Sequence, residues 1–494
     1  MRVSPKTSWR AVDTDLSVRR PHLSITRDNL QGFRHTVGLF ATPRRRCAPT
    51  RRASVTSPPT GIFDSHHPPS RDLVADCVHC GFCLPACPTY VLWQTEMDSP
   101  RGRIHLMRVG LEDETELSDG FVRHIDTCLG CMACVTACPS GVQYDRLIEA
   151  TRPQIERLGS RSLNDRLFRG LIFALFPHPQ RLRWVSLGLW AYQQLGLQRA
   201  ARVSGLLTLL PARLRAMEAM APPISLASAW ARFPTLVRAA GRPRRRVGLV
   251  LGCVQRVFFD EVNRATARVL AAEGCDVVVP AAQGCCGALA MHAGIEHDAE
   301  TMARRTIDAF EEAEVDTIVT NAAGCGSTLK QYGHLLRDDP AYANRATAFA
   351  ATCKDISEVL AELEPRAPRH PLPLRVAYHD ACHLQHAQGI SVQPRDVLAT
   401  IPELEVRDIP EGGLCCGSAG IYSLVEPDAA RELGERKARN VLATGADAVV
   451  SSNPGCLLQL QSGLAQAGHP LPARHLVELV DASIAGKGVG TLFR

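Results

Sequence analysis

Nineteen cysteines in a 494-residue chain fall into two kinds of repeat, and their spacing constrains the fold more than any other feature. The first kind is Cys77-x2-Cys80-x2-Cys83-x3-Cys87-Pro88, which recurs as Cys128-x2-Cys131-x2-Cys134-x3-Cys138-Pro139. The second is an adjacent pair followed by glycine. Cys253, Cys285-Cys286-Gly287 and Cys325 recur as Cys382, Cys415-Cys416-Gly417 and Cys456, at offsets of 129, 130 and 131 residues. Offsets this constant at three landmarks indicate a duplication and two similar domains. A disulfide scaffold belongs to short secreted chains, so the odd count and the clustering point instead to a reducing compartment and to thiolate ligands.

Three thiolates separated by two residues can wrap three corners of a cubane cluster, and a fourth, fixed by the proline after it, is aimed elsewhere. In two-cluster ferredoxins that fourth cysteine ligates the other cluster. The spacing therefore predicts one [4Fe–4S] cluster on Cys77, Cys80, Cys83 and Cys138, and a second on Cys128, Cys131, Cys134 and Cys87. Zinc also takes four cysteines, but normally as two separated C-x2-C pairs. In the duplicated region, Cys253, Cys285, Cys286 and Cys325, and likewise Cys382, Cys415, Cys416 and Cys456, suit a further cluster or metal at the mouth of a sheet. Structural zinc sites or free buried thiols are the alternatives there. Gly284, Gly287, Gly413 and Gly417 let backbone bend sharply and approach sulfur. Cys47, Cys275 and Cys353 fit neither pattern and read as inert. His379, His383 and His386, spaced i, i+4, i+7 beside Cys382, read as ordinary hydrogen-bonded histidines in preference to ligands. Asp380 and Glu411 have no partner that spacing reveals.

Strand-like runs at Val247–Val254, Asp276–Val279, Asp316–Thr320, Arg375–His379, Glu405–Ile409 and Asp447–Ser451 alternate with helical stretches such as Asp260–Glu273, His297–Glu312 and Asp428–Leu442. That alternation predicts βαβ crossovers and parallel sheets, with the cysteines at strand ends or in the loops after them. The expected organisation is a mixed α+β and α/β multidomain chain. Residues 1–70 form a basic tail, 71–150 a small two-cluster ferredoxin-like helical domain, and 151–245 an Arg-rich helical bridge. Residues 246–370 and 371–494 are the two copies of an α/β domain. No G-x-G-x-x-G follows a strand and no G-x4-G-K-[ST] loop occurs, so no flavin, nicotinamide or nucleotide site is signalled. A chain with clusters and no organic redox cofactor is expected to relay electrons.

The net charge of +6 hides a strong asymmetry. Residues 1–60 carry 12 Lys/Arg against three acids, and residues 166–246 carry 14 Arg against Glu218 alone, leaving −16 on the remainder. The first segment lacks the apolar run of a secretory signal and reads as a tail or an over-long start, ahead of a targeting sequence. In the second, the longest charge-free stretch, Trp184–Gln198, is 15 residues, short of the roughly 20 that cross a bilayer. Its Trp184, Leu187, Ala191 and Leu195 form a stripe flanked by arginines, which suits either packing against the cluster domain or an anionic membrane surface. Nucleic acid is not expected, because no recognised motif accompanies the basicity.

With two ferredoxin-type motifs followed by two CCG units, the chain resembles the glycolate oxidase iron–sulfur subunit family over roughly residues 70–480. The matching segments are "CVHCGFCLPACPTY" from Cys77, "DSPRGRI" from Asp98, "CPSGV" from Cys138, "GCCGA" from Gly284, "LQHAQ" from Leu384 and "LCCGSAGIY" from Leu414. Related architectures occur in lactate-utilisation, anaerobic glycerol-3-phosphate dehydrogenase and heterodisulfide reductase subunits. The resemblance implies an electron-transfer subunit without a catalytic residue of its own. Flavin subunits would oxidise glycolate to glyoxylate and pass electrons through it toward a membrane quinone. It also implies a cytoplasmic protein, peripheral on the inner face of the membrane. From a different class, a zinc-stabilised binding or regulatory protein is the alternative. Two features depart from the family pattern. Residues 1–60 have no counterpart, and the first repeat reads Asn321-Ala-Ala-Gly-Cys325 where the second reads Asn453-Pro-Gly-Cys456.

Overall fold

The computed structural model describes residues 62–112, 117–159 and 161–493, which lie within one unit, Ser57–Arg494. The basic residues 1–60, with Cys47, lie outside the described residues. Between Arg71 and Leu158, helices surround the two ferredoxin-type loops: Arg71–Ala75, Pro88–Trp93, Pro100–Glu112, Asp119–Asp126, Ala133–Thr136 and Tyr144–Leu158. Ile104, Met107, Ile125, Leu147 and Ile148 form their common core. Local chemistry sets the helix starts. The hydroxyls of Ser70 and Ser118 accept from Leu73 N and Phe121 N, and Pro88 sits where a missing N–H costs nothing.

Residues 62–70 are not part of a tail. Phe63 is 4% exposed and meets Phe121 edge-on at 5.9 Å, while Asp64 pairs with Arg157 at 2.8 Å and accepts from Gln154. Both anchors are long-range pairings onto neighbouring helices, which local periodicity does not signal.

Two sheets follow the helical bridge. The first contains β1 (Leu236–Val237), β2 (Arg245–Val250), β3 (Cys275–Val278), β4 (Thr317–Thr320) and β5 (Cys353–Asp355), in the order β1-β3-β2-β4-β5. The second contains β6 (Leu374–His379), β7 (Leu404–Asp408), β8 (Ala448–Ser451) and β9 (Ala473–His475), in the order β7-β6-β8-β9. Apart from the antiparallel β1, all pairs are parallel and the two orders are the same. Register repeats too: Val247 faces Val277 and Thr317, as Val376 faces Val406 and Ala448. The expected strands are present, but β2 stops at Val250 because Gly252, at φ 68°, turns the chain into Cys253. The three strands not anticipated, β1, β5 and β9, span two or three residues, too few for alternation to show.

The two halves share one core. Val247, Leu249 and Val277 bury with Val376, Tyr378, Val450 and Leu476. Helix Asp260–Ala272 of the first half packs on Leu476–Ile484 of the second, and Gln393–Ala399 of the second packs on Ile356–Glu362 of the first. Corresponding helices thus exchange places across the seam, as in a two-fold interface. Arg268 forks onto Asp481 across it at 2.9 and 2.8 Å.

The bridge consists of helices Leu163–Leu175, Pro179–Gln194, Leu197–Val203, Ala212–Ala219 and Leu226–Trp230. Its longest helix buries Leu182, against Ala229 and Val257, and Ser186, not the stripe read from the sequence. Trp184 is 67% and Leu195 72% exposed. Most of the large apolar side chains exposed among the described residues lie in this bridge. No helix among the described residues is long and apolar enough to cross a membrane.

Candidate metal centres

The ferredoxin-type loops share a backbone device. The residues either side of the second cysteine have positive φ in both: His79 (54°) and Gly81 (87°), then Gly130 (63°) and Met132 (60°). Left-handed residues fold a loop back on itself and turn its amides toward an anion, and a non-glycine there costs about 1–2 kcal/mol. Such strain clusters at ligand clamps.

Cys77, Cys80, Cys83 and Cys138 line one small cavity, with Ile104 and Tyr144 behind them. Cys87, Cys128, Cys131 and Cys134 line a second, with Arg103 and Tyr144 in its wall, and Cys134 borders both. Each cavity thus collects three thiols from one motif and the last thiol of the other. The first faces solvent: Cys80, Val78 and Phe82 are exposed, and Cys77, Cys83 and Cys138 half-buried. The four thiols of the second are all buried. Eight thiols in two otherwise largely apolar cavities fit iron–sulfur clusters, whose bridging sulfides ask little of the surroundings beyond thiolate and N–H.

The segment from Asp98 to Ile104 builds the wall between the two loops. Gly102 is required there, since a Cβ would lie 2.0 Å from the Glu96 carbonyl oxygen. Arg101 pairs with Glu96 at 2.6 Å and donates to His79 O, bracing the first loop. Arg103 is 1% exposed. It donates to Thr89 Oγ1, Thr127 Oγ1 and His124 O, and lies 3.6 Å from Asp98, itself bonded to His124 Nδ1 at 2.8 Å. Burial would raise the Cys128 thiol, but Arg103, Arg152 and bonds from Tyr144 Oη and Gly130 N outweigh it and hold Cys128 below its ordinary value. Cys131 and Cys134, with no such cation, are pushed up by burial, as is Cys83, to about 11. Two guanidiniums and two hydrogen bonds gathered on Cys128 therefore make the second cavity chemically uneven.

In each α/β unit the strand order reverses between two neighbouring strands, β2 and β4 in one and β6 and β8 in the other, and a crevice opens at their carboxyl ends. Cys253 and Cys382 follow the first strand of each crevice, Cys325 and Cys456 open the helices after the second, and the CC pairs arrive on the intervening loops. Cys253 and Cys285 sulfurs are 3.4 Å apart, and those of Cys382 and Cys415 3.9 Å. Gly287 and Gly417, at φ 81° and 91°, turn each CC loop into its helix. The side chains around the two crevices differ. Asn321 bonds inward to Asn263 and Thr266, whereas Asn453 Nδ2 reaches Cys456 Sγ at 3.4 Å. Lys437, 1% exposed, bonds Glu411 O at 2.6 Å beside the second CC pair. Cys275 and Cys353 are buried in β3 and β5.

The three histidines part company. His386 makes ordinary hydrogen bonds, to Thr136 Oγ1 at 2.7 Å and Gly413 O at 2.9 Å. His383 lies 3.8 Å from Cys382 Sγ and stacks on His292 at 4.8 Å. His379 is buried with no oxygen or nitrogen partner for either ring nitrogen, and faces the Cys416 thiol. Asp380 and Glu411, unpaired by spacing, are held by Arg395 and Arg436. Leu129 and Cys131 bury in one cluster with Cys382, Cys415 and Tyr422, so the second ferredoxin-type cavity adjoins the second α/β unit. Beside it, Arg152 donates to Cys128 O at 2.5 Å and His292 O at 2.7 Å, fastening the loop to the first unit as well.

Two cavities of crossed ferredoxin-type thiols, joined to a duplicated cysteine-rich α/β pair, define an iron–sulfur protein of the electron-transfer class. Family comparisons agree segment by segment. A 4Fe-4S dicluster domain matches residues 73–142, the linker region of the glycolate oxidase iron–sulfur subunit matches 164–221, and the cysteine-rich domain matches 247–330 and 376–461. The chain is 40% identical over 411 residues to the probable glycolate oxidase iron-sulfur subunit of Bacillus subtilis, covering 82% of this chain and 93% of that one. It is 37% identical over 414 residues to the glycolate oxidase iron-sulfur subunit of Escherichia coli, covering 83% and 93%. Lactate utilization protein A of an Exiguobacterium strain is 28% identical over 239 residues, 48% of this chain and 98% of that one. The chain belongs to the glycolate oxidase iron–sulfur subunit family.

Proposed function

We propose that this chain is the iron–sulfur subunit of a glycolate-oxidising complex. It takes electrons from flavin-containing subunits that convert glycolate to glyoxylate and passes them toward a quinone or another membrane acceptor. The observation that carries the reading is the graded burial of the thiols: an exposed set at Cys77, Cys80, Cys83 and Cys138, then a buried set at Cys87, Cys128, Cys131 and Cys134, which adjoins Cys382 and Cys415. When bound by these two sets, [4Fe–4S] clusters supply one-electron transfer. Exposed Val78 and Phe82 beside Cys80 offer an apolar surface on which an electron-donating partner would exclude water. Arg103 and Arg152 draw the Cys128 thiol below its ordinary value, which favours ligation by its sulfur. The Trp- and Arg-bearing face of the bridge suits the surface of an anionic membrane. The proposed divisions set off a cluster domain from residue 62 to Leu158, the helical bridge from Leu163 to Trp230, and two cysteine-rich units that begin at β1 and after residue 370.

The test is anaerobic purification of the complex, with iron and acid-labile sulfide measured and a panel of 2-hydroxy acids offered as reductants. Cys83→Ser should lose one of the two cubane clusters and uncouple flavin reduction from acceptor reduction. Zinc without sulfide would favour a structural metal protein, and reduction by lactate but not glycolate would move the chain to the lactate-utilising relatives.

A further inference from the structure

We propose that His379 is a metal ligand of the second cysteine-rich unit, so that its centre is held by nitrogen and sulfur while that of the first unit is held by sulfur alone. The proposal rests on the reading that the second crevice holds a metal centre at all. His379 is the last residue of β6, at the lip of the crevice where the strand order reverses, and is 1% exposed. Neither of its ring nitrogens bonds an oxygen or nitrogen, and the one side chain that engages the ring is the Cys416 thiol. A buried polar group left unpaired costs about 1–3 kcal/mol, and imidazole always carries at least one acceptor or donor on each nitrogen. Other buried or half-buried histidines have an oxygen at hand: His386 and His475 bond backbone carbonyls, and His292 Nδ1, though unbonded, lies 3.6 Å from Glu149. Around His379 the available groups are thiols: a ring nitrogen, Cys416 Sγ and Cys456 Sγ all lie within 4.8 Å of one another. Bonds of roughly 2.0–2.3 Å to a shared ion would draw such a trio together with little movement.

Comparison with the first unit sharpens the point. His379 pairs with Ser451 in register as Val250 pairs with Thr320, so the first unit has Val250, 3% exposed, at the same position. An apolar side chain there offers no ligand and needs no partner. Cys456 is further oriented by Asn453 Nδ2, whereas the residue at the same N-cap position before Cys325 is Ala322, which has no side-chain donor. A set of imidazole and thiolates selects zinc or iron over hard cations. If the ion belongs to an iron–sulfur cluster, replacing a thiolate by imidazole raises its potential.

The experiment uses the anaerobically purified complex and compares wild type with His379→Gln, His379→Cys and Cys416→Ser. Metal and acid-labile sulfide are measured per chain, and pulsed EPR of the reduced protein reads nitrogen hyperfine coupling. For a zinc centre, the d–d spectrum after cobalt substitution takes its place. His379→Gln is expected to lose the same metal that Cys416→Ser loses, and His379→Cys to restore the metal without the nitrogen coupling. A wild-type centre with no imidazole coupling, or a His379→Gln protein that keeps the metal Cys416→Ser loses, overturns the ligand assignment. If Cys416→Ser also keeps its full metal content, the second crevice holds no metal and the reading beneath the proposal fails. Circular dichroism of each variant separates loss of the metal from loss of the fold.

Discussion

Arg103 is the residue on which the buried cavity turns, and although it lies in the "DSPRGRI" segment, nothing there shows that its guanidinium is buried beside Cys128. A guanidinium this deeply buried is tolerable because Thr89, Thr127 and the His124 carbonyl satisfy its N–H groups and Asp98 balances its charge. Arg103→Met is expected to destabilise the protein by roughly 3–5 kcal/mol, since it leaves Asp98 buried without its guanidinium. It should also move the potential of the cluster proposed on Cys87, Cys128, Cys131 and Cys134 in the negative direction, because a cation beside thiolate ligands favours the electron-rich state. Chemical denaturation reads the first effect and redox potentiometry the second; an unmoved potential would show that Arg103 only packs. The cysteines proposed as ligands were legible because cluster geometry imposes local spacing. Arg103, Gly102 and His379 were not, because their roles depend on the Glu96 carbonyl, on Thr127, and on Cys416 and Cys456, which only the folded chain brings near.

At the scale of elements, the α/β strands were legible because three landmarks and several apolar runs recur at almost one offset. The edge strands β5 and β9 were not. What marks them in the structure is the helix start that follows each: a capping box of Asp355 with Glu358 in the first unit, and of His475 with Glu478 in the second. His475 accepts from Val477 N through Nδ1 and donates from Nε2 to Asn321 O at 2.8 Å, so it joins the two units as a neutral ring. Burial pushes its pKa down to about 4 from 6.5, against the pull of the Asn321 and Ser452 backbone bonds. The unfolded chain therefore binds the proton first. The stability due to neutral His475 is present above pH 6.5 and is lost as pH falls from there to about 4, a loss of about 3 kcal/mol by the linkage of pKa to stability. His475→Gln, which can still donate to Asn321 O, should flatten the fall in melting temperature between pH 7 and pH 5. Parallel falls in wild type and variant would assign the acid sensitivity elsewhere.

Across the whole molecule, the bridge concentrates exposed Trp184, Leu206 and Leu209 in a segment with 14 arginines and one acid. The sequence could supply the basicity and the periodicity but not which face turns inward, because Leu182 is chosen by its fit to Ala229 and Val257. Vesicles containing anionic lipid are expected to sediment the complex at low salt and release it as screening rises, with Trp184→Ala and Leu209→Ala weakening the association. Equal binding to zwitterionic vesicles, or binding indifferent to salt, would assign this face to a protein neighbour instead.

The seam between the two cysteine-rich units has a consequence of its own. Two identical chains meeting through such an exchanged pair of helices would form a symmetric dimer, and every substitution would then appear in both partners at once. Joined in tandem, the halves are released from that coupling. The seam must still fit itself, and Arg268 and Asp481 hold it to that, but the crevices no longer have to match. Duplication by fusion is what allows one crevice to carry a histidine where its twin carries a valine, and so lets one fold present two kinds of ligand set in a fixed ratio of one to one.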